Sequence, residues 1–165
     1  MLAGLLIVVA AYLIGSVSFA VVVSKAYGLP DPHEYGSGNP GATNVLRTGN
    51  KAAALWTLVG DGLKGFVAVF AAIQVAPLVG APAWAVPAAA IAVFIGHCWP
   101  VFHGFKGGKG VSTGAGIVFA PIYYVWLFGV NAMAAAVAAM SVLLVWRHRE
   151  NLRRLIAGEE GKIGR

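Results

Sequence analysis

The sequence predicts an all-α, polytopic transmembrane helical bundle of about five spans, and three observations carry that prediction. Of its 165 residues, 59% are hydrophobic and 11% charged, with a mean hydropathy of +0.77; soluble domains are roughly 45–50% apolar and about 25% charged. The apolar residues fall in runs close to the ~20 that a helix needs to cross a bilayer. The 12 Lys and Arg, which outweigh the 6 Asp and Glu for a net charge of +6, fall almost entirely in the gaps between those runs, as they do in short loops retained in the cytoplasm. That placement makes a topology signal of a charge excess that in a soluble chain would suggest nucleic acid, and no nucleic-acid partner is expected. About five spans make one integral membrane domain, residues 1–165.

The first run, about Leu2 to Tyr27, has no basic segment before it and meets its first positive charge, Lys25, only at its far end. It reads as a permanent helix, not a cleaved signal peptide. GLPDPHEYGSGNPGATN follows, too rich in Gly, Pro, Asn and Asp to span, and is expected as a structured loop with a short helical turn over Thr43 to Arg47. Asn50 is the expected N-cap of the next helix, Lys51 to Val75. After the uncharged turn APLVGAPAW, a third helix runs from about Trp84 to Phe102. Gly110 to Trp146 carry no charge at all. They are expected as two helices, each shorter than the usual ~17–25 residues, around a turn near FGVNA. Three basic segments on one side of a membrane require an even number of crossings between the second loop and the tail. The N-terminus is then outside and the C-terminus cytoplasmic.

That topology brings three polar segments to one face. FKGGKGVST, Phe105 to Thr113, is not a Walker A loop, which would need Gly where His103 stands and Ser or Thr where Gly110 stands. Nucleotide hydrolysis is disfavoured. The glycines still allow backbone N–H groups to curl around an anion, a helix starting near Val111 would point its positive end there, and Lys106 and Lys109 add charge. A flexible basic loop touching lipid headgroups explains this segment, taken alone, equally well. In GSGNPGATNVLR, Gly36 to Arg47, the side chains of Ser37, Asn39, Thr43 and Asn44 crowd beside Arg47, whose guanidinium suits bidentate phosphate binding. An ordinary Gly/Pro/Asn turn is the commoner source of such a composition. In the tail RHRENLRRL, His148 and Asn151 share a helix face, and Leu152, Leu155 and Ile156 form an apolar stripe. Arg147, Arg149, Arg153 and Arg154 need no reason beyond topology. His148 is a candidate general base or phosphate ligand, although a juxtamembrane His is more often simply solvated.

Inside the second helix, Asp61 and Lys64 stand one turn apart at mid-bilayer depth, where ionisable groups pair and face the bundle interior. A structural ion pair is the first reading and a substrate-contacting Lys64 the second. His97, His103 and Cys98 lack metal-ligand spacing, so no metal is expected. Cys98 is the single cysteine, which excludes an internal disulfide, and in an apolar run it reads as inert packing.

GSGNPGATNVLR, GHCWPVFHGFKGGKGVST and WRHRENLRRLIAGEEGKIG, in this order, resemble the three signature segments of the bacterial acyl-phosphate:glycerol-3-phosphate acyltransferases. The resemblance runs from the first helix to about Thr113 and resumes near Val142. It implies a multi-pass enzyme of the bacterial inner membrane, surrounded by lipid, with its active site facing the cytoplasm. The substrates would be glycerol 3-phosphate and an acyl phosphate, the product lysophosphatidic acid, and no cofactor is implied. Ser37, Arg47, His148 and Asn151 would be catalytic. Lys106, Gly107, Gly108, Lys109, Gly110 and Thr113 would bind substrate with Asn39, Thr43 and Asn44, the glycine-rich stretch taking the phosphate of glycerol 3-phosphate. Glu160 would support the tail, beside the structural pair Asp61 and Lys64. Members usually run a few tens of residues longer, with two further helices and an Arg-Tyr-x-Ser-Leu-like element that GAGIVFAPIYYVWLFGVNAMAAAVAAMSVLL lacks.

Two competing classes fit the residues less well. Soluble-type glycerolipid acyltransferases place Asp five positions after a catalytic His, and none of His33, His97, His103 and His148 has one. A non-catalytic or transport-type membrane protein binding the same anion is the alternative, although its polar loops lie at one face, not at the midplane where transporters hold their cargo. Nothing in the residues names a protein partner.

Overall fold

The computed structural model describes residues 1–109, 125, 129–150 and 153. Gly110, Thr113, Asn151 and Glu160, and the first of the two short helices expected after Gly110, lie outside the described residues. Among the described residues every regular element is helical: α1 (Leu2–Gly15), α2 (Phe19–Ala26), the short α3 (Ala42–Leu46), α4 (Lys51–Leu78), α5 (Ala85–Cys98) and α6 (Ala132–Arg147), with a single 3₁₀ turn at Val101–His103.

The first run is not the continuous helix its hydropathy predicts. It is broken at Ser16 to Ser18 into α1 and α2, which are bent by 40°. Local chemistry accounts for the break. The Ser16 hydroxyl donates back to the Tyr12 carbonyl at 2.9 Å, a competition that bends helices. Ser18 is extended and caps α2, its Oγ accepting from the Val21 N–H at 3.5 Å. Elsewhere the expected cap holds: Asn50 Oδ1 accepts from Ala53 N–H at 2.9 Å and starts α4. Asn131, a cap not expected from the sequence, does the same for α6 through Ala134 N–H at 2.9 Å.

The 28 residues of α4 and the 19 from Ala85 to His103 are long and apolar enough to cross a membrane, and the bent pair α1–α2 makes a third candidate. The rest of the five-span count rests on α6, a shorter apolar helix of 16 residues, and on residues outside those described.

Packing has the pattern of a membrane interior. On α4 the buried face is Ala53, Ala54, Thr57, Gly60, Asp61, Lys64, Ala68, Ala72 and Ala76, a three-to-four spacing of mostly small residues. Leu55, Leu58, Leu63, Phe66, Phe70 and Ile73 face outward. A soluble helix would reverse this. Lipid tails solvate Leu and Phe as well as a protein core does, so association rests on close backbone approach at small side chains. The central cluster of Ala11, Ala68, Ala72, Ala89, Ala92 and Val93 joins α1, α4 and α5 on that principle. Its tightest point is the crossing of α1 with α5. A Cβ on Gly15 would collide with the Val93 carbonyl, and one on Gly96 with the Tyr12 carbonyl.

Gly15→Ala therefore forces two backbones apart and should destabilise the fold by about 1–3 kcal/mol. Gly62→Ala, where nothing lies within 4 Å of the new methyl, should be neutral or stabilising by up to ~1 kcal/mol through helix propensity. Thermal unfolding of the two variants in detergent checks the ordering; equal effects would refute the close crossing.

Candidate active site

The loop between α2 and α3 is held from within. Asn44, buried at the start of α3, uses both ends of its side-chain amide. Its Oδ1 accepts from the Ser37 N–H at 3.0 Å and the Ser37 hydroxyl at 3.3 Å, and its Nδ2 donates to the Pro32 carbonyl at 2.8 Å and the Tyr35 carbonyl at 3.1 Å. Asn44 braces the loop with the groups that would otherwise meet a ligand. Gly36 stands at φ +59°, where a side chain is strained, and a Cβ there would strike Asn44 Oδ1 and lie 3.0 Å from Arg47 Cδ. The bare glycine lets the Arg47 side chain run past it, next to Ser37, and both are exposed. Thr43 is exposed and Asn39 half-buried. At the other end of the loop, Asp31 Oδ1 accepts from the His33 N–H at 2.9 Å and lies 2.7 Å from His33 Nδ1. The His33 N–H chiefly holds the Asp31 carboxyl below its ordinary value against the opposing effect of burial, and the His33 ring adds less. Burial chiefly raises the Tyr35 phenol.

The glycine-rich loop leaves α5 through Pro100. Gly104 and Phe105 both adopt positive φ, at 57° and 62°, and the Phe105 N–H donates to the Pro100 carbonyl at 2.9 Å. Gly107 and Gly108 are buried against the end of α5. A Cβ on Gly107 would meet the His97 carbonyl and the Pro100 ring, and one on Gly108 the His97 ring. The Gly108 N–H donates to the His97 carbonyl at 3.1 Å. These two glycines are needed for close packing, and the Gly108 amide, expected in an anion nest, is engaged with α5 instead. Lys106 is exposed and Lys109 half-buried beside them.

Three segments far apart in sequence meet here. From the first loop, His33 Nε2 lies 2.9 Å from the Lys106 carbonyl, and the Pro40 carbonyl lies 3.0 Å from the Cβ position of Gly108. From the end of α6, Arg147 Nη2 donates to the carbonyls of Gly107, at 3.0 Å, and Gly108, at 2.9 Å. The Arg147 guanidinium lies 5.0 Å from the Trp99 ring centroid, and Trp99 packs against Trp146 at 5.8 Å. Sequence reasoning passed Arg147 over as one topology charge among four. The available signal was its place between Trp146 and His148, at the end of a span.

His148 closes α6. Its Nδ1 lies 2.9 Å from the Leu144 carbonyl, which can only accept, so Nδ1 carries the proton in this arrangement. Nε2 is then the ring's basic nitrogen, buried and without a hydrogen-bond partner among the described residues.

Deeper in the bundle, Lys64 Nζ lies 2.9 Å from Asp61 Oδ1, both side chains at most 5% exposed, and donates to the Val17 carbonyl at 2.7 Å. His97 Nδ1 lies 3.5 Å from the same carboxylate oxygen. Lys64 thus points into the break between α1 and α2. Among the described residues no three His, Cys, Asp or Glu are grouped to hold a metal ion, and Cys98 is a buried free thiol.

A sequence profile of the family described as glycerol-3-phosphate acyltransferase matches residues 5–138. Proteins called glycerol-3-phosphate acyltransferase in Cupriavidus pinatubonensis and Ralstonia nicotianae are 50% and 52% identical to this chain. They align over 99% and 94% of it and over 98% and 92% of their own lengths. The first alignment runs over 197 positions, more than the 165 residues present here, so part of that relative has no counterpart in this chain. The crystal structure of PlsY (YgiH), an integral membrane glycerol 3-phosphate acyltransferase, in its glycerol 3-phosphate form matches with a TM-score of 0.82 at 31% identity. The match covers 98% of this chain and 96% of that one. Its lysophosphatidic acid form matches with a TM-score of 0.80.

Replacing Lys64 by Met leaves the Asp61 carboxylate without its ammonium partner, with the His97 ring 3.5 Å away, and should cost about 3–5 kcal/mol. Adding Asp61→Asn to Lys64→Met should recover most of that loss. Unfolding of both variants, measured in detergent, decides whether the pair is structural: a double variant no more stable than Lys64→Met alone would contradict it.

Proposed function

This chain belongs to the glycerol-3-phosphate acyltransferase family, and from that premise we propose that it moves a fatty acyl group from an acyl phosphate to the 1-hydroxyl of sn-glycerol 3-phosphate, releasing phosphate and lysophosphatidic acid. The observation that carries the reading is the meeting of the Ser37–Arg47 loop, the Lys106–Lys109 loop and the His148 end of α6. In this reading residues 1–165 act as one acyltransferase unit in the bacterial inner membrane. The N-terminus is outside and the site faces the cytoplasm, where the basic segments lie. The reaction begins phospholipid synthesis.

An acyl phosphate is a mixed anhydride that carries its own leaving group. The protein's task is to bring two anions together and stabilise charge as the carbonyl is attacked, so neither cofactor nor strong general acid is called for. Arg47 and Lys109 hold the two phosphates, with Lys106 and Thr43 at the rim. Ser37, its hydroxyl hydrogen turned to Asn44, offers lone pairs to a substrate hydroxyl. His148 Nε2 takes the proton from the 1-hydroxyl as its oxygen bonds to the acyl carbon, and the carbon–oxygen bond to the phosphate breaks. Asn39, Gly110 and Thr113 complete the substrate contacts, Asn151 orients the substrates, and Glu160 supports the tail.

The test is acyl transfer by the purified chain in lipid, with palmitoyl phosphate and labelled glycerol 3-phosphate. Lysophosphatidic acid should form, and Arg47→Ala and Lys109→Ala should each lower kcat/KM by about 100-fold or more, the order expected when a charge-assisted phosphate contact is lost. His148→Gln should lower kcat by ~10²–10⁴-fold while binding persists; full turnover in that variant would remove the base role. A second reading follows from the positions that this chain lacks relative to its relative. Saturable glycerol 3-phosphate binding without product would mean that the chain keeps the phosphate site and not the reaction.

A further inference from the structure

Arg147 Nη2 bears two hydrogens and meets two consecutive carbonyls, Gly107 at 3.0 Å and Gly108 at 2.9 Å. A trans peptide is planar, with its C=O and N–H pointing in opposite directions, and the described residues contain no cis peptide. The peptide joining Gly107 to Gly108 is therefore held at both ends: its carbonyl by Arg147, its N–H by the His97 carbonyl at 3.1 Å. The next peptide has its Gly108 carbonyl fixed by the same guanidinium, which sends the Lys109 N–H to the side away from Arg147. Two peptide planes that glycine would leave free to rotate are set by one side chain. That side chain is itself oriented by Trp99, 5.0 Å below the guanidinium, and Trp99 is in turn tied to α1 through its carbonyl, which accepts from the Tyr12 hydroxyl at 2.9 Å.

We propose that Arg147 is a positioning residue of the acyl-transfer site: it sets the peptide planes of Gly107 and Gly108, and so the place of Lys109, without touching either substrate. A topology charge would need none of this geometry. Arg147 also ties that loop to the end of α6. The proposal rests on the acyltransferase reading for its effect on catalysis, and on the hydrogen bonds alone for its effect on the loop.

The experiment compares the full chain with Arg147→Lys, Trp99→Leu and Arg149→Lys in lipid. Arg147→Lys keeps the positive charge and any topology role but loses the flat, longer fork that reaches two carbonyls while stacked on an indole. Two quantities are read: hydrogen exchange of the loop peptide carrying the Gly108 and Lys109 amides, and kcat and KM for glycerol 3-phosphate. Arg147→Lys should exchange at least fivefold faster in the loop and raise KM at least tenfold with kcat within threefold. Trp99→Leu should move both quantities the same way by a smaller factor, and Arg149→Lys, on the exposed neighbour, neither. Unchanged loop exchange in Arg147→Lys overturns the proposal, and so does a fall in kcat with KM unchanged, which would place Arg147 on the reacting atoms. If Arg147→Lys does not fold, exchange in Trp99→Leu decides in the same sense. If the native chain makes no lysophosphatidic acid, the acyltransferase reading falls separately, and the exchange comparison alone still upholds or overturns the hold on the loop.

Discussion

The bundle is organised around one backbone carbonyl that loses its helical partner and is bonded by a side chain instead. Breaking the first span at Ser16 to Ser18 frees the Val17 carbonyl at a depth where a spanning helix finds no water to bond it. Lys64 supplies the missing donor at 2.7 Å. An ammonium there requires a counter-charge, and Asp61, one turn back on α4, provides it at 2.9 Å. The same carboxylate lies 3.5 Å from His97, whose carbonyl receives the Gly108 N–H and whose ring lies where a Gly108 side chain would be. One line of polar contacts thus runs from the kink in the first span to the glycine-rich loop. Each member has a local reason, and together they fix α2, α4 and α5 relative to the site.

Around that line the fold depends on small residues. Gly15 and Gly96 let α1 and α5 touch at the backbone, and Gly107 and Gly108 let the polar loop lie directly on the end of α5. Within the loops, polar side chains mostly satisfy the protein itself. Asn44 spends its amide on Ser37, Pro32 and Tyr35, and Arg147 spends its guanidinium on two glycine carbonyls. Such internal bracing leaves Ser37 and Arg47 exposed on the first loop and Lys106 exposed on the second. A reaction between two anions suits that division, because its catalytic demand is placement and positive charge, both of which are lost if the loops move.

Much of this was legible in the chain as written. The apolar runs marked the candidate spans of α1–α2, α4 and α5, Asn50 marked the start of α4, and the Asp61–Lys64 spacing announced a pair inside the bundle. The three polar motifs announced a family. Those features are local: a cap, a turn of helix and a run of apolar residues depend on neighbours a few positions away. The break in the first span was not legible, since two serines within an apolar run are equally compatible with a continuous helix and the donor that bonds the freed carbonyl stands on α4. The purpose of Gly107 and Gly108 was not legible either, because a glycine chosen for phosphate and one chosen for packing look alike until the His97 side of the contact is known.

By itself, then, the sequence determined the class of protein, the approximate spans, the family and the residue types available for its chemistry, all of which follow from local composition and order. Only the tertiary structure decided which of those residues are turned inward as braces. It separated Arg47 from Asn44 within one loop, and Arg147 from the other basic residues of the tail. The physical reason is that a side chain's role depends on the partner opposite it: Asn44 finds its partners across a folded loop, and Arg147 finds its own about forty residues away, brought together only when the helices pack.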